Sequence, residues 1–543
     1  MARADDHRSR RFAAAFGLPL VLLLTQAQPA VAETSVATTA KMRGTVHVDA
    51  NGNGILDAGE SGLAGIAVSN GRNIVRSDAQ GRYAIAVQPG DVVFAIKPPH
   101  YRFGRRGDRL PAFWKAYAPE TSNLKYGGLA PQTTLDFDIA LQSAPDTAEA
   151  ELPVLVFGDP QPKSVVDVDY YARDIVQPLA GRVQAELGLS LGDIVHDDLS
   201  LYPAMNRITA SLGIPWLHAA GNHDLDVDAY HDAQSLDTFR NVYGPDTLAW
   251  EEAQASFVVL DNVIHQPGQR PAYIGGFRED QFRFLDAYLR QARRDRLLVL
   301  AMHIPLFEQD GRDTFRDADR ERLFALLQPF AHVLLLTAHN HTQQHVFHTA
   351  DSGWQGRAPL HEYNVGAACG AFWSGAKDAQ GIPDSTMADG TPNGYARLHV
   401  ASDGQYRLSW HAARDSSQDI LRVHAPQVLR RGAYPAWGVY ANVFMGGADT
   451  HVEFRVDDGD WKPMRRVEQP DPWLLAENGR DDAATGLRGY DRSPEATPSP
   501  HLWRGALPTD LPIGPHRIDV RVQDRWLGER TAKTHYRLED AQP

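Results

Sequence analysis

The chain has 543 residues, of which 43% are hydrophobic and 22% charged, and its formal net charge is −14 at pH 7. This composition excludes a disordered or a membrane-embedded protein, and the length predicts more than one hydrophobic core. The negative charge argues against nucleic acids and anionic membranes as partners through bulk electrostatics. Because Cys369 is the single cysteine, an internal disulfide is excluded, and we expect a small buried apolar residue there.

The N-terminus, residues 1–32, has the pattern of a signal peptide. Basic residues within 8–11 precede an apolar run over 12–24, and small residues at 30–32 suit a signal peptidase. We therefore expect cleavage after Ala32 and an exported protein, periplasmic or extracellular. The apolar run is shorter than the roughly 20 residues that span a bilayer, so we expect no stable membrane insertion. The sequence leaves the Sec and twin-arginine routes open.

Residues 41–145 are predicted to form an N-terminal β-sandwich domain. Short β-like runs alternate with Gly, Asp and Pro turns, and no helical period is sustained. The runs are Thr45–Val48, Gly65–Val68, Arg82–Val87 and Val92–Lys97. A Pro- and Ala-rich acidic segment over 143–153 then predicts a linker.

One loop of this region has the spacing of a calcium-binding loop. The pattern Asp-x-Asn-x-Asn-Gly is followed five residues later by Glu. The candidate ligands are Asp49, Asn51, Asn53, Asp57 and Glu60. The flanks are β-like, which excludes an EF-hand, and the loop is similar to the calcium loops of some extracellular β-sandwiches. The alternative interpretation is a plain Asn/Gly turn, and any calcium would be structural.

Residues 150–415 are predicted to form an α/β domain, in which apolar strands alternate with amphipathic helices. The strands are Val154–Phe157, Leu297–Met302 and Val333–Thr337, and the helices are Arg278–Arg294 and Asp317–Leu327. β-like runs return in 420–543, at Val439–Phe444, Thr450–Val456 and His516–Val522, which predicts a second β-sandwich. The fold class is therefore α/β, with all-β sandwich domains at both ends.

Five short polar clusters each follow an apolar strand-like run of the α/β region. In open α/β sheets, side chains at the carboxyl ends of strands gather into one site. Asp, Asn, Gln and His bind borderline divalent metals through oxygen and nitrogen. The clusters are Gly158-Asp159-Pro160-Gln161, Gly192-Asp193, Gly221-Asn222-His223-Asp224, His303, and His339-Asn340-His341. Five such clusters in order, each after its own strand, predict a metal site.

This ordered set resembles the signature of the calcineurin-like metallophosphoesterase family, which is D-x-H, G-D, G-N-H-D/E, H and G-H-x-H. The resemblance implies a central β-sandwich flanked by helices, with two divalent metal ions (Mn, Fe or Zn). It also implies that His223 faces the substrate, steadied by Asp224. The resemblance implies that Asp159 and His341 hold the first metal and that Asp193 bridges both metals. It implies that the second metal is held by Asn222, His303 and His339.

Two residues depart from the family signature. Gln161 stands where many members have His, and a neutral amide oxygen is a weaker and harder ligand than imidazole. We expect Gln161 to loosen the first metal or to favour Mn or Fe there, and reduced activity is the alternative. Ala338 replaces a Gly, which we expect to be harmless. The segments 366–370 and 389–395 look like bacterial family members with flanking β-sandwich domains.

The function implied is hydrolysis of a small phosphorylated substrate, either a monoester or a diester. Two metals would lower the pKa of a shared water, and the resulting hydroxide would attack phosphorus while His223 assists the departing oxygen. The rival function is a non-catalytic surface or carbohydrate-binding protein with a degenerate phosphoesterase domain, against which the intact ligand motifs argue. The oligomeric state is left open.

Three residues outside the ligand set are candidates for the substrate cleft. His196 follows the second cluster closely enough to support its residues. Trp373 and Tyr395 are the aromatic candidates, and core packing is the equal alternative for both. We expect Asp197 and Asp198 to be solvated.

Overall fold

The computed structural model describes residues 40–144, 150–307, 314–414 and 420–541. The predicted signal peptide, 1–32, lies outside the described residues. Among the described residues, no helix is both long and apolar enough to cross a membrane.

The N-terminal region consists of two four-stranded sheets, in the orders β4-β1-β8-β6 and β3-β2-β5-β7. Buried side chains of both sheets, such as Met42 and Phe94, belong to one hydrophobic core. All four predicted β-like runs overlap a strand, although β1 begins earlier than predicted and β2 begins and ends later. The strands are β1 (Ala40–Val48), β2 (Ala67–Ser69), β3 (Ile74–Arg76), β4 (Arg82–Val87), β5 (Val92–Ala95), β6 (Tyr101–Phe103), β7 (Trp114–Ala116) and β8 (Ile139–Ser143).

The central region is a sandwich of a five-stranded sheet, β11-β10-β9-β20-β21, and a six-stranded sheet, β12-β13-β16-β17-β19-β18, with a small β14-β15 hairpin. The predicted α/β class is confirmed. The strands are β9 (Leu152–Phe157), β10 (Leu187–Leu191), β11 (Trp216–Ala219), β12 (Thr247–Glu251), β13 (Ala255–Leu260), β14 (Val263–His265), β15 (Tyr273–Gly275), β16 (Leu297–Ala301), β17 (Val333–Thr337), β18 (Gln344–His348), β19 (Leu360–Asn364), β20 (Gly394–Val400) and β21 (Tyr406–Ala412).

Helices connect the central strands. The helices are α1 (Val165–Tyr171), α2 (Tyr202–Thr209), α3 (Asp237–Tyr243), α4 (Glu279–Leu289) and α5 (Asp317–Leu327), and the shorter helical segments are Ala172–Val176, Leu199–Leu201, Ala210–Leu212, Asn222–Asp224, Asp232–Gln234 and Ala350–Ser352. The prediction for α5 is confirmed at both ends. Helix α4 ends at Leu289 instead of the predicted Arg294, because the residues after it are mainly basic and offer few apolar groups for burial.

The inner strands of the central sheets are apolar on both faces. All five residues of β16 are buried, and so are all six of β13, because these strands are parallel neighbours covered on both sides. Such continuous apolar runs are readable in the sequence. Polar side chains begin only where the strands end.

The C-terminal region has two further sheets, β22-β24-β28-β27 and β23-β30-β29-β25-β26, around their own hydrophobic core. Contrary to the predicted all-β composition, it also contains helix α6 (Pro472–Asp482), which begins where Asp471 accepts hydrogen bonds from two backbone N–H groups. The strands are β22 (Leu421–His424), β23 (Val428–Arg430), β24 (Gly438–Val443), β25 (His451–Val456), β26 (Lys462–Pro463), β27 (Arg465–Pro470), β28 (Pro498–Ala506), β29 (Gly514–Asp524) and β30 (Gly528–Glu539).

The N-terminal and central regions share one large hydrophobic core, and the N-terminal region also has a small cluster of its own around Val92 and Leu129. The ring of Trp250 lies 5.5 Å from that of Phe103 and 5.8 Å from that of Phe113. Beside these rings, the buried ammonium of Lys97 donates to Glu252 at 2.6 Å. The N-terminal sheets are therefore fixed against the central sandwich by apolar contacts and by one buried ion pair.

Candidate metal centre

The five polar clusters each follow their own strand. Strands β9, β10 and β11 are parallel neighbours in one sheet, and β16 and β17 are parallel neighbours in the other. Because parallel strands end at the same sheet edge, side chains from five distant segments converge. The clusters after these strands are, in order, 158–161, 192–193, 221–224, His303 and 339–341.

Asp193 lies in the middle of the converging side chains. Its Oδ1 is 3.4 Å from Nε2 of His303, and its Oδ2 accepts a hydrogen bond from Nε2 of Gln161 at 3.1 Å. Asp193, His303 and His339 each offer a ligand atom within 4.8 Å of the others. The carboxylate therefore faces both halves of the centre, as a bridging ligand must.

Asp159 and His341 form the first half. Oδ1 of Asp159 is buried and makes no hydrogen bond to any described residue, and Nε2 of His341 lies 3.8 Å from it. Two ligands that each lie about 2.1 Å from one tetrahedral ion are on the order of 3.4 Å apart. This buried oxygen and nitrogen are thus spaced as two ligands of one cation.

Asn222, His303 and His339 form the second half. Nε2 of His303 is 3.1 Å from Oδ1 of Asn222 and 3.1 Å from Nδ1 of His339. All three atoms carry a lone pair in the neutral side chains. Their close approach around one point is the arrangement that a shared cation stabilises.

The ring orientations of His303 and His341 are set by backbone carbonyls. Nδ1 of His303 donates to the Leu191 carbonyl at 2.8 Å, and Nδ1 of His341 donates to the Gly370 carbonyl at 2.8 Å. Because a carbonyl only accepts, Nδ1 of each ring carries a proton, and Nε2 is the ring nitrogen that faces the carboxylates. Both rings are held as metal ligands are held.

The backbone around the centre adopts left-handed conformations that side chains rarely take. The φ angles are positive at Asp159 (39°), Gln161 (40°), Asp193 (48°), His339 (71°) and His341 (50°). Each such residue costs on the order of 1–3 kcal/mol and persists only where surrounding contacts impose it. Strain concentrated at five converging residues marks a functional site.

Two glycines allow the strand ends to approach one another. A Cβ on Gly221 would lie 2.2 Å from Oδ1 of Asp193, and one on Gly192 would lie 2.5 Å from Nδ1 of His303. Gly192 also has a φ of 95°. Gly192 and Gly221 are therefore required as glycines, because a side chain at either position would collide with a residue of the centre.

The charges of the centre also favour a cation. Burial raises the pKa of Asp159 to about 8. Burial lowers the pKa of His303, but the charges of Asp193 and Asp159 outweigh it and raise that pKa to about 9. Burial lowers the pKa of His341 to about 4, which keeps its ring neutral and able to ligate. A metal ion would favour the ionised form of the Asp159 carboxylate, because it supplies the positive charge that this buried group otherwise lacks.

Gln161 lies at the first half, but its amide nitrogen faces Asp193 and its Oε1 lies 3.8 Å from the Cys369 thiol. An amide nitrogen does not bind metal, so in this orientation Gln161 holds the bridging carboxylate. Cys369 is buried, as expected, and burial raises the pKa of its thiol. Ala338 is buried and has no positive φ, so alanine is accommodated there.

His223 stands beside the metal ligands and contacts Asp197, which is exposed, as expected, but also pairs with this ring. Nδ1 of His223 lies 2.8 Å from Oδ1 of Asp197, and its ring stacks on His196 with centroids 4.2 Å apart. Burial lowers the pKa of His223, but the hydrogen bond to Asp197 and the charge of Asp193 raise it above its ordinary value. The hydroxyl of Tyr126, from the N-terminal region, donates to the Asp197 carbonyl at 3.0 Å.

Asp224 does not steady His223, contrary to the prediction. Its buried carboxylate accepts from the N–H groups of Ile194 at 3.1 Å and Gly221 at 2.9 Å, and from the Tyr202 hydroxyl at 2.9 Å. It therefore ties together the loops after β10 and β11. Sequence proximity suggested the ring as its partner, but the short helix at 222–224 turns the carboxylate towards the backbone.

The aromatic rings beside the described histidines of the centre are those of Phe372 and of Tyr273, which lies 6.2 Å from His339, instead of the predicted Trp373 and Tyr395. The ring of Phe372 is 42% exposed and lies 4.8 Å from that of His341 and 6.0 Å from that of His196. Trp373 is buried, and its indole donates to the Pro160 carbonyl at 2.9 Å. The half-buried Tyr395 stacks on the ring of His411 in the sheet, 5.3 Å away. Nothing in the sequence distinguishes Phe372 from its buried neighbour.

The loop with calcium-binding spacing closes on itself. The Asp49 carboxylate accepts from the N–H groups of 52–54, and the Asn51 and Asn53 amides both donate to Oδ2 of Asp57, at 2.7 and 2.8 Å. Glu60 accepts from the N–H of Ala50 at 2.9 Å. The five candidate ligands are gathered in one loop, which both interpretations of the sequence require.

Three family models match the chain. The model described as calcineurin-like phosphoesterase matches residues 152–343. The models for the N terminal and the C terminal of calcineurin-like phosphoesterase match 50–127 and 362–529. The match of the C-terminal model begins in β19, so the C-terminal region of the family includes β20 and β21 of the central five-stranded sheet.

Among solved structures, the chain is similar to one titled as the structure of PhoD, with 13% identity over 67% of this chain and 81% of that chain and a TM-score of 0.36. It is also similar to purple acid phosphatase PPD1 from yellow lupin (Lupinus luteus) seeds, with 12% identity over 65% and 68% of the two chains and a TM-score of 0.36. No curated protein matches the sequence. The three family models together cover the N-terminal, central and C-terminal regions. The chain therefore belongs to the calcineurin-like phosphoesterase family and is a metal-dependent hydrolase of phosphoric esters.

Proposed function

We propose that the chain is an exported phosphoesterase with a dinuclear metal centre, and that it hydrolyses a small phosphate monoester or diester. One observation carries the proposal: Asp193 contacts Gln161 of the first half with one carboxylate oxygen and His303 of the second half with the other. A single carboxylate between two sets of ligand atoms supports two ions instead of one. The rival, a non-catalytic binding protein, gives no reason for so much strain at the ligand residues.

The residues that would hold the ions fit Mn, Fe or Zn. Asp159 and His341 would hold one ion and Asn222, His303 and His339 the other, with Asp193 shared. When bound, the ions supply Lewis acidity toward the phosphate and lower the pKa of water. This mixed set of carboxylate, imidazole and amide ligands suits borderline divalent metals. In its present orientation, Gln161 orients the bridge, and a rotation of its amide would exchange the positions of Oε1 and Nε2.

His223 would donate a proton to the departing ester oxygen. Its ring is half-buried beside Asp193, and Asp197 accepts from Nδ1, which leaves Nε2 for the substrate. The raised pKa of His223 increases the protonated fraction near neutral pH. His196 stacks on the ring and limits its rotation. Asp197, His196 and Phe372 thus complete the residues around the ester.

The test is hydrolysis of p-nitrophenyl phosphate and bis-p-nitrophenyl phosphate by the purified full chain, with and without Mn²⁺, alongside the metal content. We expect Asp193→Ala to lose metal from both halves and to lose activity, because no neighbouring carboxylate can bridge in its place. Asp136→Ala is the matched control, since this exposed carboxylate pairs with Arg43 in the N-terminal region. A metal-loaded wild-type chain that hydrolyses neither ester would favour the binding protein.

Export and the domain boundaries are parts of the same proposal. We propose a signal peptide over 1–32 followed by domains over 41–145, 150–415 and 420–543. The separate core of the C-terminal region supports the last boundary. N-terminal sequencing of the protein from the periplasmic or culture fraction should begin at Glu33, and an intact Met1 there would contradict cleavage.

We also propose calcium as a structural ion of the 49–60 loop. The convergence of Asn51, Asn53 and Asp57 supports it, since rotation of the two amides would place their oxygens beside the carboxylate. Calcium that binds only the folded chain should raise the melting temperature of the full chain, and Asp49→Ala should abolish the rise. No calcium-dependent shift in the wild-type chain would leave an ordinary turn.

A further inference from the structure

A cavity of about 470 Å³ opens between the N-terminal region and helices α2 and α3. One wall is the turn over 106–109, and the other includes Asn206 and Arg207 of α2 and Asn241 of α3. None of the candidate metal ligands lines it. Its volume is within the range of small-molecule sites, roughly 300–1,000 Å³.

The charge of this cavity is opposite to that of the chain. Three arginines, Arg106, Arg109 and Arg207, line it together with one carboxylate, Asp108, whereas the whole chain has a net charge of −14. Asp108 pairs with Arg106 at 3.1 Å. The guanidinium groups of Arg109 and Arg207 make no hydrogen bond or ion pair with any described residue. Two planar cations are therefore available to an anion, and guanidinium groups bind phosphate oxygens in pairs.

The unpaired arginines are accompanied by an unpaired buried amide. Asn206 is 6% exposed, and its Oδ1 is buried without a hydrogen-bond partner among the described residues. That oxygen has almost no accessible surface, but the residue itself lines the cavity, so its amide is a polar group within the wall. An amide both donates and accepts, which matches a hydroxyl group.

The turn that presents Arg109 is held in a strained conformation. Arg109 has a φ of 69°, and its N–H donates to the Arg106 carbonyl at 2.9 Å while the N–H of Arg106 donates to Leu110 at 2.8 Å. The guanidinium of Arg106 lies over the ring of Trp114, 4.4 Å from its centroid. The backbone of this turn is thus fixed by its hydrogen bonds and by the contact of Arg106 with Trp114, whereas the side chains of Arg109 and Arg207 are exposed.

We infer that this cavity binds a small phosphorylated molecule that carries a hydroxyl group, at a site separate from the metal centre. Arg109 and Arg207 bind the phosphate, and the Asn206 amide binds the hydroxyl. Inorganic phosphate shares the first interaction but lacks the hydroxylated carbon chain that reaches Asn206. The binding does not depend on hydrolysis.

The experiment is calorimetric titration of the metal-loaded full chain with 3,4-dihydroxybutyl phosphonate, which has both groups and cannot be hydrolysed as an ester. We expect Arg109→Gln with Arg207→Gln to weaken binding at one site at least tenfold, with unchanged hydrolysis of p-nitrophenyl phosphate. Arg182→Gln is the matched control, because Arg182 is exposed and lies outside the cavity lining. Unchanged affinity in the double variant would overturn the inference.

A second variant tests the hydroxyl. Asn206→Ala should weaken binding of the dihydroxybutyl phosphonate severalfold and leave butyl phosphonate unaffected, because only the first has a hydroxyl for the amide. Equal affinity of the wild-type chain for both phosphonates and for inorganic phosphate would contradict the proposed ligand class. If the arginine double variant does not fold, the single variants Arg109→Gln and Arg207→Gln decide the phosphate interaction by the same titration.

Discussion

At the scale of single residues, the support of His223 is the main difference from what the sequence indicated. Asp224 is its neighbour in the chain, but Asp197 is its partner in space. A motif shows which residue types occur together, whereas the partner of a ring depends on how two loops fold over each other. The metal ligands are readable because each ends a strand, and Asp197 is not, because it lies inside a loop.

Asp197→Asn should lower kcat/KM for alkyl phosphate esters by about 10- to 100-fold, which is the usual range for the loss of an orienting partner. The kcat/KM for p-nitrophenyl esters should fall much less. An alkoxide needs the proton of His223, and nitrophenolate hardly does. The loss of this carboxylate should also lower the pKa of His223, because Asp197 raises it. The basic limb of the pH profile should therefore move to lower pH. Equal losses on both ester types with an unmoved limb would contradict this role.

Gln161→His should raise affinity for Zn²⁺ at the first half, because imidazole is a stronger and softer ligand than an amide. The measurement is competitive metal titration of the full chain, with Gln132→His, a half-buried glutamine of the N-terminal region, as a control outside the centre. If affinity does not change, Gln161 acts on Asp193 and not on the metal.

Phe372→Leu should raise the KM for esters with an aromatic ring, such as 2-phenylethyl phosphate. The KM for butyl phosphate should rise severalfold less. The two leaving alcohols differ little in chemistry, so the comparison isolates contact with the exposed ring of Phe372, worth about 1 kcal/mol. Lys163 lies 4.7 Å from the centroid of this ring and is unchanged in the variant. Identical effects on both substrates would remove Phe372 from the cleft.

At the scale of elements, the strands and the order of their terminal motifs could be predicted, because parallel strands buried on both faces are continuous apolar runs. Helix α5 was placed at its observed ends, whereas α4 is shorter than predicted and α6 was missed. The α6 segment contains Gly479 and three acidic residues and has weak apolar periodicity, so its stability comes from the Asp471 cap and from burial of Leu474. The left-handed backbone of the metal ligands has no periodic signal at all.

The loop after β19 permits one test at this scale. Gly370 has a φ of 58° and presents its carbonyl to His341, and a Cβ there would lie 1.5 Å from the Ser385 carbonyl oxygen. Gly370→Ala should therefore destabilise the chain by about 3 kcal/mol and weaken metal binding at the first half. Gly268→Ala is the matched control, because Gly268 has a φ of 75° but open space around it. The measurement is the free energy of unfolding in urea. If both variants lower it equally, backbone strain alone explains the destabilisation by Gly370→Ala.

At the scale of the whole molecule, the distribution of apolar cores determines what unfolds together. The N-terminal and central regions contribute to one core, and the C-terminal region has another. We expect two calorimetric transitions in the full chain. Trp250→Ala should lower the shared transition, with a cost of about 3–5 kcal/mol, and leave the other in place, whereas Trp503→Ala should do the reverse. A single transition lowered by both variants would show that the cores unfold as one.

The hydrogen bond from Tyr126 to the Asp197 carbonyl has a consequence for how such a protein can be rearranged in evolution. Every candidate ligand of the metal centre lies between 159 and 341, so an ancestral gene fusion could transfer this ligand set intact with the central segment. The support of His223, however, extends to a residue of the N-terminal region. A chimera with a foreign N-terminal module would inherit the metal ligands but not this hydrogen bond. Efficient turnover of demanding substrates should therefore reappear only after the new module has evolved its own contact to the Asp197 loop.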